Sequence, residues 1–254
     1  MVRANGPERS EYYYPAYLDL RGRACVVVGG GDVAYGKVLG LLPCGAEVTV
    51  VSPEAHPGIA RFAARGKLRW ERRGYRPGDV AGAFLAIAAT DDRATNEAVY
   101  QEAVGCKALV NVVDVPDRCQ FVAAAVFRRG RLTAAISTGG ASPALASRLR
   151  RELTALWGPE YGQLTSTYRR LRGAVRARIP TVEGRKRFWL RLAADDLPLR
   201  LLRERRRAEL DAYLDEALAH WPEESPEAER GGAAPPGRAT AARPPAPAGG
   251  GASG

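Results

Sequence analysis

The sequence predicts an α/β fold, a parallel sheet with helices on both faces, continued by a helical segment. Three observations carry this. Short apolar runs rich in valine alternate with helix-spaced stretches up to about Thr138. A glycine-rich turn joins the first run to the first helix. From about Ser142 to Trp221 the pattern changes to helices crowded with arginine. Strands separated by helices form parallel sheets, because a parallel connection needs a crossover long enough to hold a helix.

The elements follow in order. Residues 24–28 are apolar, too few for a helix, and are ended by three glycines. Residues 33–42 have helical spacing and stop at Pro43 and Gly45. A second strand is expected over 47–51, a short helix over 56–65, and a third strand over 68–71. A fourth strand covers 84–88, a helix runs from about Arg93 to Gly105, and a fifth strand covers 109–113. Ligands of such sheets bind beyond the carboxyl ends of the strands.

Composition narrows the function classes. The 254 residues carry 38 Lys+Arg against 28 Asp+Glu, a formal charge of +10. That surplus suits a polyanionic partner: nucleic acid, acidic lipid or a small polycarboxylate. Cys25, Cys44, Cys106 and Cys119 are too scattered for a disulfide framework or a zinc ribbon, and reduced thiols fit a cytoplasmic protein. The polar start, Met1 to Ser10, lacks the apolar centre of a signal peptide, and no apolar run approaches the length of a membrane span. Residues 222–254 are mostly Pro, Gly, Ala and Glu, a composition expected to be disordered. His56 and His220 have no partner at metal-ligand spacing, so no metal site is expected and both read as surface residues.

The turn Gly29-Gly30-Gly31-Asp32-Val33-Ala34 fits G-x-G-x-x-A. Gly29 allows the tight turn, Gly31 lets the backbone approach a pyrophosphate, and Ala34 lets the helix pack on the sheet. The helix start offers free N–H groups to phosphates. Strand two ends in Ser52-Pro53-Glu54, where Ser52 or Glu54 stands in for the acidic residue that usually holds a ribose, which favours NAD over NADP. Thr90, Asp91 and Asp92 follow strand four, and for both aspartates a helix cap is an equal reading. Asp114, beyond strand five, is held by a proline turn and points to chemistry in the crevice.

Taken together, GGGDVA, AATDD, NVVDVPDRCQF, LTAAISTGGASPALASRLRREL and EGRKRFW resemble the precorrin-2 dehydrogenase family, the dehydrogenase module of siroheme synthase. The resemblance covers about Tyr14 to Leu218. It implies a Rossmann-type parallel sheet (1–118) binding NAD, followed by a small dimerisation segment (119–158) and a helical C-terminal domain (159–221). It implies oxidation of precorrin-2 to sirohydrochlorin by a homodimer, with Fe²⁺ insertion into sirohydrochlorin as an added activity in some members. Asp32 and Val33 then lie at the pyrophosphate, Ser52, Pro53 and Glu54 at the adenosine ribose, and Thr90 and Asp91 on the nicotinamide side. Asp114 is the essential aspartate and handles a proton. Asn111, Ser137, Thr138 and Gly139 face the macrocycle. The chain departs from the family pattern at Tyr35-Gly36, in place of an acidic-basic pair, and at Ala124, in place of a proline.

Ser142 and Pro143 also read as a helix cap and first helical residue. Seventeen Lys or Arg lie between Arg148 and Arg207, mostly a solvated helix face, with a few suited to a polycarboxylate. Phe188 and Trp189 fit core spacing better than a stacking platform. No helix-turn-helix or aromatic-basic recognition motif is present, so neither a nucleic-acid partner nor a non-catalytic NAD-sensing role is favoured.

Overall fold

The computed structural model describes residues 13–222; the stretch expected to be disordered lies, from residue 223 on, outside the described residues. The chain divides into two compact units, Met1–Thr165 and Ser166–Gly254.

The first unit is built on one parallel sheet. Its strands are β1 (Ala24–Val28), β2 (Glu47–Val51), β3 (Arg69–Glu71), β4 (Leu85–Ala88) and β5 (Leu109–Val112), in the order β3-β2-β1-β4-β5. β1 is central, and its side chains are divided between two cores. Cys25 and Val27 join α1 (Asp32–Leu41) and α2 (Pro57–Ala64) on one face. Val26 and Val28 join α3 (Arg93–Gly105) on the other. Both faces are covered, so the strands read as continuous apolar runs rather than alternating ones. Successive strands run outward from β1 to β3, and β4 then returns to the opposite side of β1. That reversal opens a crevice at the carboxyl ends of β1 and β4.

Helix α1 ends one residue before the expected stop. Leu42–Cys44 tighten into a 3₁₀ turn through Pro43, and Gly45 closes it at φ 76°. Beyond the sheet, β6 (Ala125–Arg129) and β7 (Leu132–Ile136) form an antiparallel hairpin. Helix α4 (Pro143–Leu156) follows, capped by Ser142, whose Oγ accepts from the Leu145 N–H at 3.2 Å with Pro143 in the first turn. The hairpin packs on α4, and the Arg129 guanidinium donates to the Thr154 and Trp157 carbonyls at its C-terminal end.

Helix α5 (Pro159–Arg178) starts against the hairpin turn. A Cβ at Gly162 would lie 2.9 Å from the Arg129 carbonyl group. Gly162→Ala is therefore expected to lower the melting temperature, although alanine normally gains about 1 kcal/mol over glycine inside a helix. Thermal unfolding followed by circular dichroism checks the sign.

The second unit holds the rest of α5 with α6 (Val182–Ala194), α7 (Leu197–Arg203) and α8 (Arg207–Ala219). Leu210, Leu214 and Leu218 repeat every four residues and form one buried stripe on α8. Phe188 is buried against Trp221 and Trp189 in the core its spacing predicts, whereas Trp189 is partly buried at the core's edge, tilted against Tyr168. The Asp195 carboxylate accepts from the Tyr213 hydroxyl and the Leu197 N–H; the tyrosine foremost holds it below the usual aspartate range.

Candidate functional site

Three strand-to-helix turns meet at the reversal point and line a crevice of about 600 Å³. That volume is in the range of small-molecule and cofactor sites. Gly29, Gly31, Asp32, Val33, Ser52, Pro53, Glu54, Thr90 and Asp91 all line it. Residues drawn from three separate loops by sequence pattern thus share one cavity.

The glycines of the first turn have three different duties. Gly29 has φ 118°, and a Cβ there would lie 2.2 Å from the Ala89 carbonyl oxygen, so β1 and β4 can close only over a bare backbone. Gly30, which the motif leaves free, is just as constrained. A Cβ there would lie 2.0 Å from the Glu54 carbonyl oxygen and 2.7 Å from Ser52 Oγ. A Cβ at Gly31 would meet nothing within 4 Å. Internal packing does not require this third glycine. Its bareness keeps open the crevice beside the first turn of α1, where unpaired N–H groups suit a phosphate.

The loop after β2 is locked to that turn. The Gly30 carbonyl accepts from the His56 N–H at 2.7 Å. His56 was expected on the surface but is half-buried, because its Nδ1 accepts from the Gly58 N–H at 2.9 Å and caps α2. Its ring stacks on Tyr35 at 4.0 Å between centroids, and Nε2 lies 3.6 Å from Asp32 Oδ1. Tyr35, the departure from the family pattern, is therefore the seat for the capping histidine. Ser52 has both backbone groups bonded, the N–H to Glu71 and the carbonyl to the Trp70 indole. Its hydroxyl, on a residue 8% exposed, has no hydrogen-bond partner among the described residues and lines the crevice.

The β4 loop resolves the two open aspartates. Asp92 caps α3, accepting from the Ala94 and Thr95 N–H groups and the Thr95 hydroxyl. The Thr95 hydroxyl foremost, then the backbone donors, holds its carboxyl below the usual range. Asp91 has no such duty and faces the crevice. Thr90 is braced by buried Asn96, whose Oδ1 accepts from the Thr90 hydroxyl at 2.8 Å and whose amide donates to the Thr90 carbonyl at 2.8 Å. Sequence reasoning missed Asn96, and also Gly74 and Tyr75, which reach the crevice from the β3 end. Tyr75 donates to Glu102, and burial together with that bond raises its pKa, so it serves as a neutral phenol.

Asp114 is exposed just beyond β5, the neighbour of β4, at φ 59° in a turn closed by the Val115 N–H to the Val112 carbonyl. It does not line the crevice walls. Asn111, expected at the macrocycle, has another job. Its side chain is buried, and its amide donates to the Phe121 carbonyl at 2.9 Å and to Cys119 Sγ at 3.3 Å. Ser137, Thr138 and Gly139 follow β7 and stand outside the crevice lining. Ser137 Oγ accepts from the Gly139 N–H and Thr138 Oγ1 from the Ser142 N–H, so both hydroxyls shape the loop before α4.

Among the described residues no group of three His, Cys, Asp or Glu side chains could hold a metal ion, and no helix is long and apolar enough to cross a membrane. Cys25 is buried in β1, and burial raises its thiol to about 11, which makes it inert.

Three family models match in succession: an NAD(P)-binding model over residues 16–125, the sirohaem biosynthesis protein central model over 129–156, and the sirohaem synthase dimerisation region over 160–218. The solved structure of SirC, precorrin-2 dehydrogenase, is 31% identical with a TM-score of 0.66, and the match covers 80% of this chain and all of that one. The chain belongs to the precorrin-2 dehydrogenase family. Its fold is that of the family, a Rossmann-type sheet followed by a central segment and a helical dimerisation region. The siroheme synthase of Methylobacillus flagellatus is 43% identical over 175 residues, 69% of this chain. That of Thioalkalivibrio sulfidiphilus is 42% identical over 180 residues, 71% of this chain. The matched segments span only 38% and 37% of those two relatives' own lengths.

Proposed function

We propose that this chain is an NAD-dependent precorrin-2 dehydrogenase, oxidising precorrin-2 to sirohydrochlorin in siroheme biosynthesis. The observation that carries the reading is the crevice: a bare Gly31 beside the first turn of α1, with the unpartnered Ser52 hydroxyl and Glu54 opposite. Those features fit a dinucleotide. Asp32, Val33 and the N–H groups of the α1 start hold the pyrophosphate. Ser52, Pro53 and Glu54 hold the adenosine ribose, and Thr90 and Asp91, braced by Asn96, border the nicotinamide end. NAD⁺, when bound, supplies the hydride acceptor.

The residual chemistry is removal of a proton from the macrocycle as it becomes more conjugated. The Asp114 carboxylate, exposed beyond β5, takes that proton at Oδ. Asn111 acts one step back, fixing the segment that follows the Asp114 turn. Ser137, Thr138 and Gly139 serve the macrocycle through loop shape rather than through free hydroxyls. The substrate is a polycarboxylate, which the arginine surplus suits. Two copies act together, supported by the dimerisation match and by Leu145 and Leu149, which are exposed on one face of α4. The cytoplasm is the expected compartment, supported by four free cysteines.

The test is an absorbance time course with precorrin-2 and either NAD⁺ or NADP⁺. Conversion to sirohydrochlorin with NAD⁺ is expected. No conversion above the spontaneous rate with either nucleotide would overturn the reading.

A further inference from the structure

The charge of the crevice carries a consequence for the redox state it holds. Four carboxylates line it, Asp32, Glu54, Asp91 and Asp92, and no lysine or arginine does. The Asp32 side chain is 93% exposed and has His56 Nε2 at 3.6 Å, and Asp92 is bonded into the start of α3. Glu54 and Asp91 are exposed and have no ion-pair or hydrogen-bond partner among the described residues. Two guanidinium groups beyond β3 are engaged elsewhere. Arg72 stacks over Trp70 at 4.4 Å, and Arg73 is bidentate to Asp79 at 2.7 and 2.8 Å. Ser52, a residue 8% exposed, also turns a hydroxyl without a protein partner among the described residues into the crevice, which fits a bound ligand.

From this geometry we infer that the crevice selects the oxidised dinucleotide, binding NAD⁺ more tightly than NADH, with Asp91, which the dinucleotide reading puts at the nicotinamide end, as the residue that sets the preference. The inference rests on the dinucleotide reading given above. NAD⁺ and NADH share the same pyrophosphate, adenosine and riboses. The attraction of the α1 start for phosphate therefore cancels between them. What differs is the positive charge of the oxidised nicotinamide, which reduction removes. In a cavity whose charged lining groups are all carboxylates, the form with one more negative charge is the weaker ligand. One carboxylate beside that charge, screened by water and salt, amounts to roughly a twofold preference. The consequence is kinetic: the reduced product leaves an acid-lined site readily, and oxidation resists inhibition by NADH. The same carboxylates oppose a ribose 2′-phosphate, which adds still more negative charge.

The test is titration of the full chain with NAD⁺, NADH and NADPH by calorimetry at low and at high salt, repeated with the Asp91→Asn variant. The expected order is NAD⁺ tightest, NADH roughly twofold weaker and NADPH weaker still, with the NAD⁺-to-NADH ratio falling toward one at high salt and in the Asp91→Asn variant. Equal affinities, or tighter NADH, in the unsubstituted chain would overturn the inference and leave the dinucleotide reading standing. A ratio unmoved by Asp91→Asn would overturn the assignment to Asp91. Absence of binding by every nucleotide would overturn the dinucleotide reading itself. The salt series on the unsubstituted chain needs no variant to fold.

Discussion

Asp114→Asn is expected to lower the rate of precorrin-2 oxidation by about 10²-fold or more, while NAD⁺ affinity and thermal stability stay unchanged. The substitution is a clean one because of the backbone. Asp114 has φ 59°, in the left-handed region where Asp and Asn are the readily tolerated residues after glycine. Asparagine keeps the turn closed by Val115 and Val112 and removes only the proton acceptor. Alanine would confound the two effects, since its Cβ carries the left-handed penalty with no compensating side-chain bond. Stopped-flow absorbance gives the rate and calorimetry the affinity. Full activity in the asparagine variant would remove Asp114 from the chemistry.

The second large effect separates two adjacent glycines. Gly30→Ala is expected to unfold the nucleotide half or leave it insoluble, because its methyl would lie 2.0 Å from the Glu54 carbonyl oxygen. Backbone lies on that side, and the His56 N–H bond to the Gly30 carbonyl fixes the two segments together. Gly31→Ala is expected to keep the melting temperature, since its methyl meets nothing within 4 Å, and to weaken NAD⁺ binding by about tenfold or more, the cost of holding a pyrophosphate off by one methyl group. The pair is read by circular dichroism and calorimetry together. A Gly31→Ala chain that binds NAD⁺ normally would show that the ligand does not approach this backbone.

The sheet was legible because its signals are local. Valine runs such as 24–28 and the glycines that stop them lie within a few residues of one another. The nine crevice residues were legible for a related reason, since each sits at the end of a strand already recognised from its run. The residues that were missed depend on contacts distant in the chain. Asn96 braces Thr90 from inside α3, and Tyr75 reaches the crevice while tied to Glu102. His56 became a helix cap only because Tyr35, on another helix, provides a flat seat for its ring. Gly30 looked permissive because the motif leaves its position free, and the constraint comes from the loop after β2. One signal was available in advance: His56-Pro57 reads as a cap followed by a helix-starting proline. Asn111 shows the opposite error, in which a polar residue in a motif is assigned to a ligand although its amide faces inward.

That inward amide affects how the protein behaves at high concentration. β5 is the last strand of its sheet, and its outer rim would present bare N–H and C=O groups to any passing chain. Residues 119–121 cover that rim: the Gln120 N–H donates to the Val110 carbonyl at 2.8 Å, the Val110 N–H donates to the Gln120 amide oxygen, and Asn111 fastens Phe121. The flap shields the strand from pairing with a neighbouring molecule. A lesion at Asn111 would consequently show first as clumping during expression, before any defect in turnover could be measured.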